Sequence, residues 1–412
     1  MTIGWIGTGN MGLRMAKRLI GAGYELCVYN RTAEKARPLI DTGRAVLLSS
    51  PAEIAKNCNV IFTSVTNDAA LEEILSGPGG MLPAMHPNTD SQPVLIDMST
   101  INPDYSAGMR CRVEEKGWDF VAAPVIGSMF MVEAGLLKIL ASGSRATVSR
   151  LEPLFSAIGR QTVYLGNGVQ ARYMKIAVNM VICSYLTIFG EILLAGEGAG
   201  FEWSELNDFL EDCPGASPML KDKGTTIRER IWASPAALTS TALKDLGLAV
   251  SIARKAGLSL PLTNMARQYD CFMHFNKKYD TYSTFGTVGV LEDICGVSPY
   301  DIRKCISGDE AAQGKSALSD ALVCVTTLLA REALDFCKAS GVDADAAREC
   351  LGTCHGASTY FKNQCSGAAQ EELSVKRAVE SLDAVLEIAR ANGLFLPLIT
   401  TAASILAGME NL

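Results

Sequence analysis

Short apolar runs alternate with amphipathic stretches through the first 166 residues, and the alternation predicts strand, helix, strand in turn. Residues 3–6 form an apolar strand, 13–20 carry apolar residues at helical spacing up to Gly21 and Gly23, and 25–29 form a second strand. The pattern continues with a helix over 33–42, a strand near 45–48, a helix from Pro51, a strand over 60–64 and a helix from Asn67 towards Leu75. Gly77 to Gly80 and a polar stretch at 86–93 read as loops before a strand at 94–97 and a helix starting near Pro103. Strands at 120–122, 137–141 and 162–165, with a helix over 146–157, complete one doubly wound, mostly parallel α/β sheet. After Gly166-Asn167-Gly168 the period becomes helical, beginning with a long helix over 169–199. Its apolar core at 176–195 is interrupted by Asn179, Ser184 and Glu191, which predicts a buried bundle helix and no membrane span.

The first strand runs into Gly7-Thr8-Gly9-Asn10-Met11-Gly12 and directly into a helix. Gly7 allows the tight turn, Gly9 lets the backbone approach a pyrophosphate, and Gly12 lets the helix pack against the strand, with the helix N-terminus as the phosphate site. Asn10 and Met11 lie within that turn. An acidic residue after the second strand would bind the ribose of NAD; here the residues are Asn30-Arg31-Thr32. An uncharged amide, a cation and a hydroxyl suit the 2′-phosphate of NADP, so NADP(H) is the expected cofactor. Val65 and Thr66, after the strand at 60–64, are placed with it.

Composition narrows the partners. The 412 residues exceed one ordinary domain, and the net charge of −7 leaves no basic field for nucleic acid or an anionic membrane. Thirteen cysteines without a C-x-x-C pair, and no signal-peptide pattern at the start, predict reduced thiols and a cytoplasmic protein. His86, His274 and His355 lie far apart without companions at ligand spacing, so no metal is expected.

Loops after the strands of such a sheet face the ligand, which puts Ser99 and Thr100 either at a nicotinamide end or at the cap of the next helix. The loop over 123–128 follows another strand end. On the long helix Lys175 and Asn179 lie four apart on one face. An ammonium on an apolar helix either reaches solvent or is paired and used.

Taken in order, the glycine turn, Asn30-Arg31-Thr32, Asp97-Met98-Ser99-Thr100, Ala123-Pro124-Val125, Lys175 with Asn179, and Leu243-Lys244-Asp245-Leu246 resemble the β-hydroxyacid dehydrogenase family over residues 2 to about 270. That family includes 3-hydroxyisobutyrate dehydrogenase and the glyoxylate and succinic semialdehyde reductases. The resemblance implies a Rossmann domain followed by a helical domain, and NAD(P)-linked hydride transfer between the cofactor and a small hydroxy acid or its oxo form. It implies Lys175 as the general acid and base, Asn179 as a substrate hydrogen-bonding group, and Thr100 and Lys244 at the cofactor. It also implies that Ser99, Val125, Ile126, Gly127 and Ser128 line the substrate with Lys175 and Asn179. The chain departs from the family at 122–128, where Ala122, Ile126 and Ser128 replace a pattern resembling Asp-Ala-Pro-Val-Ser-Gly-Gly. A branched Ile126 cannot donate to a carboxylate, so a larger apolar carbonyl or an imine is an alternative substrate class, although imine reductases usually lack the lysine. A cofactor-binding scaffold without turnover is the contrasting reading.

Residues 252–263 and 388–399 match at eight of twelve positions, and 191–200 resembles 332–341, so the helical domain is expected twice, about 140 residues apart. The expected organisation is a nucleotide-binding domain at 1–166, a helical domain at 167–270, a connector at 271–315 and a second helical domain at 316–412. In the second copy Ser316, Asp320 and Glu380 stand at the positions of Lys175, Asn179 and Lys244. 6-Phosphogluconate dehydrogenase, a relative of the family, similarly has an enlarged helical domain, though the His of its catalytic helix is absent here. The protein is expected to be a homodimer, or a monomer in which the second helical copy replaces the partner subunit.

Overall fold

The computed structural model describes residues 2–87, 92–233, 239–296 and 308–409. It divides into two compact units, Met1–Lys175 with Ser340–Ala346, and Ile176–Ala339 with Ala347–Leu412. The polar stretch at 86–93 lies partly outside the described residues, as does the connector expected at 271–315, of which 297–307 is not described.

In the first unit β1 (Ile3–Ile6), β2 (Leu26–Tyr29), β3 (Ala45–Leu47), β4 (Val60–Thr63), β5 (Val94–Asp97) and β6 (Asp119–Ala122) form a parallel sheet in the order β3-β2-β1-β4-β5-β6. Strands β1, β4 and β5 are buried along their whole length, which is why they read as unbroken apolar runs. The helices of this unit are α1 (Asn10–Gly21), α2 (Arg37–Ile40), α3 (Pro51–Asn57), α4 (Asp68–Ser76), α5 (Pro103–Glu114), α6 (Met129–Glu133) and α7 (Arg145–Ile158). Ser50 accepts from the amide of Glu53 and Asn67 from the amide of Ala70, so side chains fix where α3 and α4 begin. Met15 and Leu19 of α1 pack with Trp5, Val28, Phe62 and Ile96 of the sheet in one core, with the Trp5 and Phe62 rings stacked 5.3 Å apart. Strand order reverses between β1 and β4, and the crevice at their carboxyl ends is where such sheets bind ligands.

Two expectations need correcting. The strands after β6 do not extend the main sheet: β7 (Val125–Ile126), β8 (Leu137–Ala141) and β9 (Gly159–Tyr164) form a second sheet, with β7 antiparallel to β8. Pro124 has no N–H for a ladder and turns the chain out of β6, and the paired backbone groups of Ala122 and Ser142 join the sheets. The loop read at 123–128 thus contains a strand. The unit boundary also falls inside the long helix, at Lys175 rather than 166, and the helical residues do not separate at 270 or 315.

The second unit is helical. It takes α8 (Gln170–Gly198) from residue 176 onward, then α9 (Trp203–Asp212), α10 (Pro218–Arg228), α11 (Thr239–Lys255), α12 (Pro261–Phe275), α13 (Thr287–Cys295), α14 (Gly308–Ala339), α15 (Ala344–Gly352) from residue 347 onward, α16 (Thr359–Ser366), α17 (Val375–Asn392) and α18 (Pro397–Leu406). Helix α8 is long and apolar enough to cross a membrane, but 89% of its most apolar window is buried in the fold. Tyr185, Phe189, Leu193, Leu322, Leu329, Leu382 and Leu398 share one core. Helix α13 lies in the stretch expected to connect, with Val288 and Leu291 in that same core.

The repeated Leu-Pro-Leu segments start α12 and α18, with proline at the first helical position and no side-chain cap from Leu260 or Leu396. Their free amides are met from the opposite half. Glu191 of α8 accepts from Leu398 and Ile399 at 2.9 and 3.0 Å, while Glu332 of α14 accepts from Leu262 and Thr263 at 2.7 and 3.0 Å.

Candidate active site

The glycine turn sits at the carboxyl end of β1. Gly7 has φ +99°, and a Cβ on it would lie 2.2 Å from the Ser64 carbonyl oxygen; a Cβ on Gly12 would lie 2.3 Å from the Gly7 carbonyl oxygen. Those two positions are glycine because the protein's own backbone fills the space. Gly9 differs: no described atom lies within 4 Å of where its Cβ would be. It stands at the N-terminus of α1, which no described side chain caps. Open space, free amides and the positive end of a helix make a cradle that fits a pyrophosphate. Asn10 is exposed and Met11 half-buried against the core.

Asn30 works inside the fold. Its Oδ1 accepts from the Thr8 amide at 2.8 Å and its Nδ2 donates to the Thr32 carbonyl at 2.8 Å, so it ties the glycine turn to the end of β2. Arg31 and Thr32 are exposed, and the Arg31 guanidinium is 4.0 Å from Glu73 across solvent. A pair that open contributes little, which leaves the cation available to a ligand phosphate. Thr66 is exposed and Val65 and Thr100 are half-buried beside the same strand ends.

Ser99 is buried, and its hydroxyl donates to Asp97 at 2.7 Å while accepting from the Val65 amide at 2.9 Å. It holds the ends of β4 and β5 together. Asp97 also accepts from Thr63 and is ion-paired at 2.6 Å with Arg172, a residue the sequence reading did not single out. Arg172 and Asp97 are both fully buried. Burial pushes the guanidinium down from its usual range, and Asp97 opposes that shift.

On the second sheet Val125 and Ile126 are buried, and Ile126 pairs directly with Lys138. Gly127 has φ +144°, and a Cβ there would strike Leu137 at 2.5 Å. Ser128 is exposed and accepts from the Met131 amide as the cap of α6. Lys175 is half-buried on α8. One turn further, the buried Asn179 donates to Asp245 at 2.6 Å, and the Lys244 ammonium is 3.1 Å from the other Asp245 oxygen. Asp245 is the acid of the Leu243-Lys244-Asp245-Leu246 motif. It lies on the buried stripe Ala242, Asp245, Leu246, Ala249, and an acid on such a stripe is a legible signal. Among the described residues no group of three or more His, Cys, Asp or Glu side chains is placed to hold a metal.

The sheet order and the glycine cradle define an NAD(P)-binding protein of the Rossmann type. Residues 2–166 match the family described as the NAD binding domain of 6-phosphogluconate dehydrogenase, and 169–281 that described as the NAD-binding of NADP-dependent 3-hydroxyisobutyrate dehydrogenase. Glyoxylate/succinic semialdehyde reductase 1 of Arabidopsis thaliana is 31% identical over 268 residues, 65% of this chain and 91% of that protein. 2-(Hydroxymethyl)glutarate dehydrogenase of Eubacterium barkeri is 30% identical over 267 residues, 65% of this chain and 87% of that protein. The structure of Plasmodium falciparum 6-phosphogluconate dehydrogenase covers 100% of this chain and 94% of its own, at a TM-score of 0.75 and 14% identity, so the fold likeness extends through the helical residues beyond 281. The chain belongs to the β-hydroxyacid dehydrogenase family of NAD(P)-dependent oxidoreductases.

Proposed function

We propose that the protein uses NADPH to reduce a small oxo acid or semialdehyde to the corresponding β-hydroxyacid, or runs the reverse reaction. The observation that carries the reading is Lys175, half-buried on an apolar helix one turn from an Asn179 whose amide is fixed by Asp245. The bound nicotinamide supplies or accepts the hydride. Lys175 gives a proton to the carbonyl oxygen in reduction and takes one from the hydroxyl in oxidation. Asp245, by holding one amide hydrogen of Asn179, sets the rotation of that amide and so which group it offers a substrate. Arg31 and Thr32 stand exposed after β2, where no acid would repel a 2′-phosphate. Relatives named for glyoxylate, succinic semialdehyde and 2-(hydroxymethyl)glutarate support a small carboxylated substrate.

Ile126 favours a second reading. An apolar side chain stands where the family pattern has a hydroxyl, and the Ser128 hydroxyl caps α6, which suits a larger apolar carbonyl or an imine. NADPH absorbance followed over glyoxylate, succinic semialdehyde, apolar ketones and cyclic imines separates the two. Turnover of the carboxylated aldehydes supports the first reading and turnover confined to the others supports the second. NADPH binding without oxidation by any of them points to a scaffold and overturns both. Lys175→Met is expected to bind NADPH normally and lose at least about 10²-fold in kcat, the usual weight of a general acid; retained kcat would move the proton transfer elsewhere.

A further inference from the structure

We propose that Arg172 is a positioning residue for Lys175: its guanidinium, clamped to Asp97, Ser99 and Ser106, fixes the first turn of α8 against the carboxyl end of β5 and thereby sets where the Lys175 ammonium stands. The inference rests on the reading of Lys175 as the proton donor.

Three bonds leave the one planar fork in three directions. Nη2 donates to Asp97 at 2.6 Å, Nη1 to the Ser99 carbonyl at 2.6 Å, and Nε to the Ser106 hydroxyl on α5 at 3.1 Å. Asp97 in turn accepts from Thr63 at the end of β4 and from Ser99, whose hydroxyl takes the Val65 amide. One buried hub therefore joins the ends of β4 and β5, the start of α5 and the start of α8. Val65, Ser99 and Thr100, which the sequence places beside the cofactor, hang from the same hub. A second anchor sits beside it, since the Ala171 amide donates to the Ser142 hydroxyl at 2.8 Å. All of these residues lie in the first unit, as does Lys175.

Stability alone does not account for the arrangement. A fully buried ion pair is often no more stabilising than apolar side chains of similar volume, because both charges lose their water. What the pair supplies is direction: a guanidinium with three fixed acceptors has one orientation, which a lysine or a methionine would not have. Lys175 follows Arg172 by three residues, about 4.5 Å along the axis and 60° round it, so any tilt or roll of the first turn carries the ammonium with it. A displacement of about 1 Å at a reacting group can cost on the order of 10²-fold in rate.

The test uses the full chain. Arg172→Lys keeps a charge for Asp97 and loses the fork; it is expected to fold, to bind NADPH as the wild type does, and to lose roughly tenfold or more in kcat. Arg172→Met is expected to lose more, and to move the basic limb of the kcat–pH profile upward, because the helix turn that carries Lys175 loses a positive charge. In Arg172→Ala, millimolar guanidinium is expected to restore much of the lost kcat, and not to do so in Lys175→Met. If Arg172→Lys retains wild-type kcat while Lys175→Met is inactive, the positioning role is overturned and the proposed function stands. If Lys175→Met retains turnover, the proposed function falls and takes this role with it. Should Arg172→Met and Arg172→Ala fail to fold, the kcat and pH profile of Arg172→Lys decide alone.

Discussion

At Gly9 the space around the missing Cβ is open, whereas at Gly7 and Gly12 the protein's own carbonyl oxygens occupy it. Gly9→Val is therefore expected to leave stability within about 0.5 kcal/mol, as for an exposed site. It should raise the Kd for NADPH about tenfold or more, equivalent to 1.4 kcal/mol, because the branched side chain enters the phosphate cradle. Titration and thermal melting measure both, and unchanged binding would remove the cradle from the cofactor site. Arg31→Ala is expected to weaken NADPH and not NADH, since the cation is exposed and only loosely matched with Glu73; equal losses for both cofactors would refute the 2′-phosphate role. Individual site residues were legible to different depths. Gly7 and Gly12 could be read from spacing, because at each the chain's own backbone leaves no room for a side chain. Asn30 is expected at the cofactor and Ser99 at the nicotinamide end or a helix cap; in the fold both also bond across 22 and 34 residues, and such pairings leave no local trace in the sequence. Arg172 and Asp97 are 75 residues apart, and for the same reason neither announced the other.

The elements of the nucleotide-binding unit were legible because strands buried on both faces must be apolar throughout and their helices must be amphipathic. The small second sheet was not, since β7 has only two residues and its pairing with β8 depends on Pro124 breaking β6. The caps of α12 and α18 show the same limit. The Leu-Pro-Leu segments mark the helix starts, but the carboxylates that satisfy them come from α8 and α14. Burial pushes Glu191 up to about 7, against the Leu398 and Ile399 amides and the Tyr269 hydroxyl, which favour its charged form. A carboxyl whose folded-state pKa is raised contributes stability that is fully present below about pH 4.5 and is lost as pH rises through about 7. Glu191→Gln has no such titration, and its amide turns a donor towards groups that need an acceptor. The variant should be less stable by about 1–3 kcal/mol. The stability gap to the wild type, from urea unfolding at several pH values, should narrow as pH rises from 5 to 7 and stay constant above. A gap independent of pH would show that Glu191 is not the titrating group.

Across the whole molecule, the reciprocal caps bear on whether the helical half arose by duplication, which the repeated segments propose. At the counterpart positions the two halves use one helix-to-helix contact differently. Asn179 of α8 meets Asp245 of α11, whereas Asp320 of α14 is held by Nε and Nη2 of Arg377 on α17, at 2.7 and 3.0 Å, with Ser381 beside it. An ion pair in place of the amide proposed to bind substrate is what a half kept for packing would carry. Removing that half would also remove Glu332, leaving the Leu262 and Thr263 amides and the Thr263 hydroxyl without their acceptor, and would strip Leu322, Leu329 and Leu382 from the core they share with Tyr185, Phe189 and Leu193. Each unmet buried donor costs about 1–3 kcal/mol, and the newly exposed apolar face favours association. A fragment ending after Tyr269 is therefore expected to aggregate or to lack turnover, measured by light scattering and by NADPH oxidation on any substrate the full chain accepts. A soluble fragment with full activity would show that the second half neither completes the core nor stands in for a partner subunit.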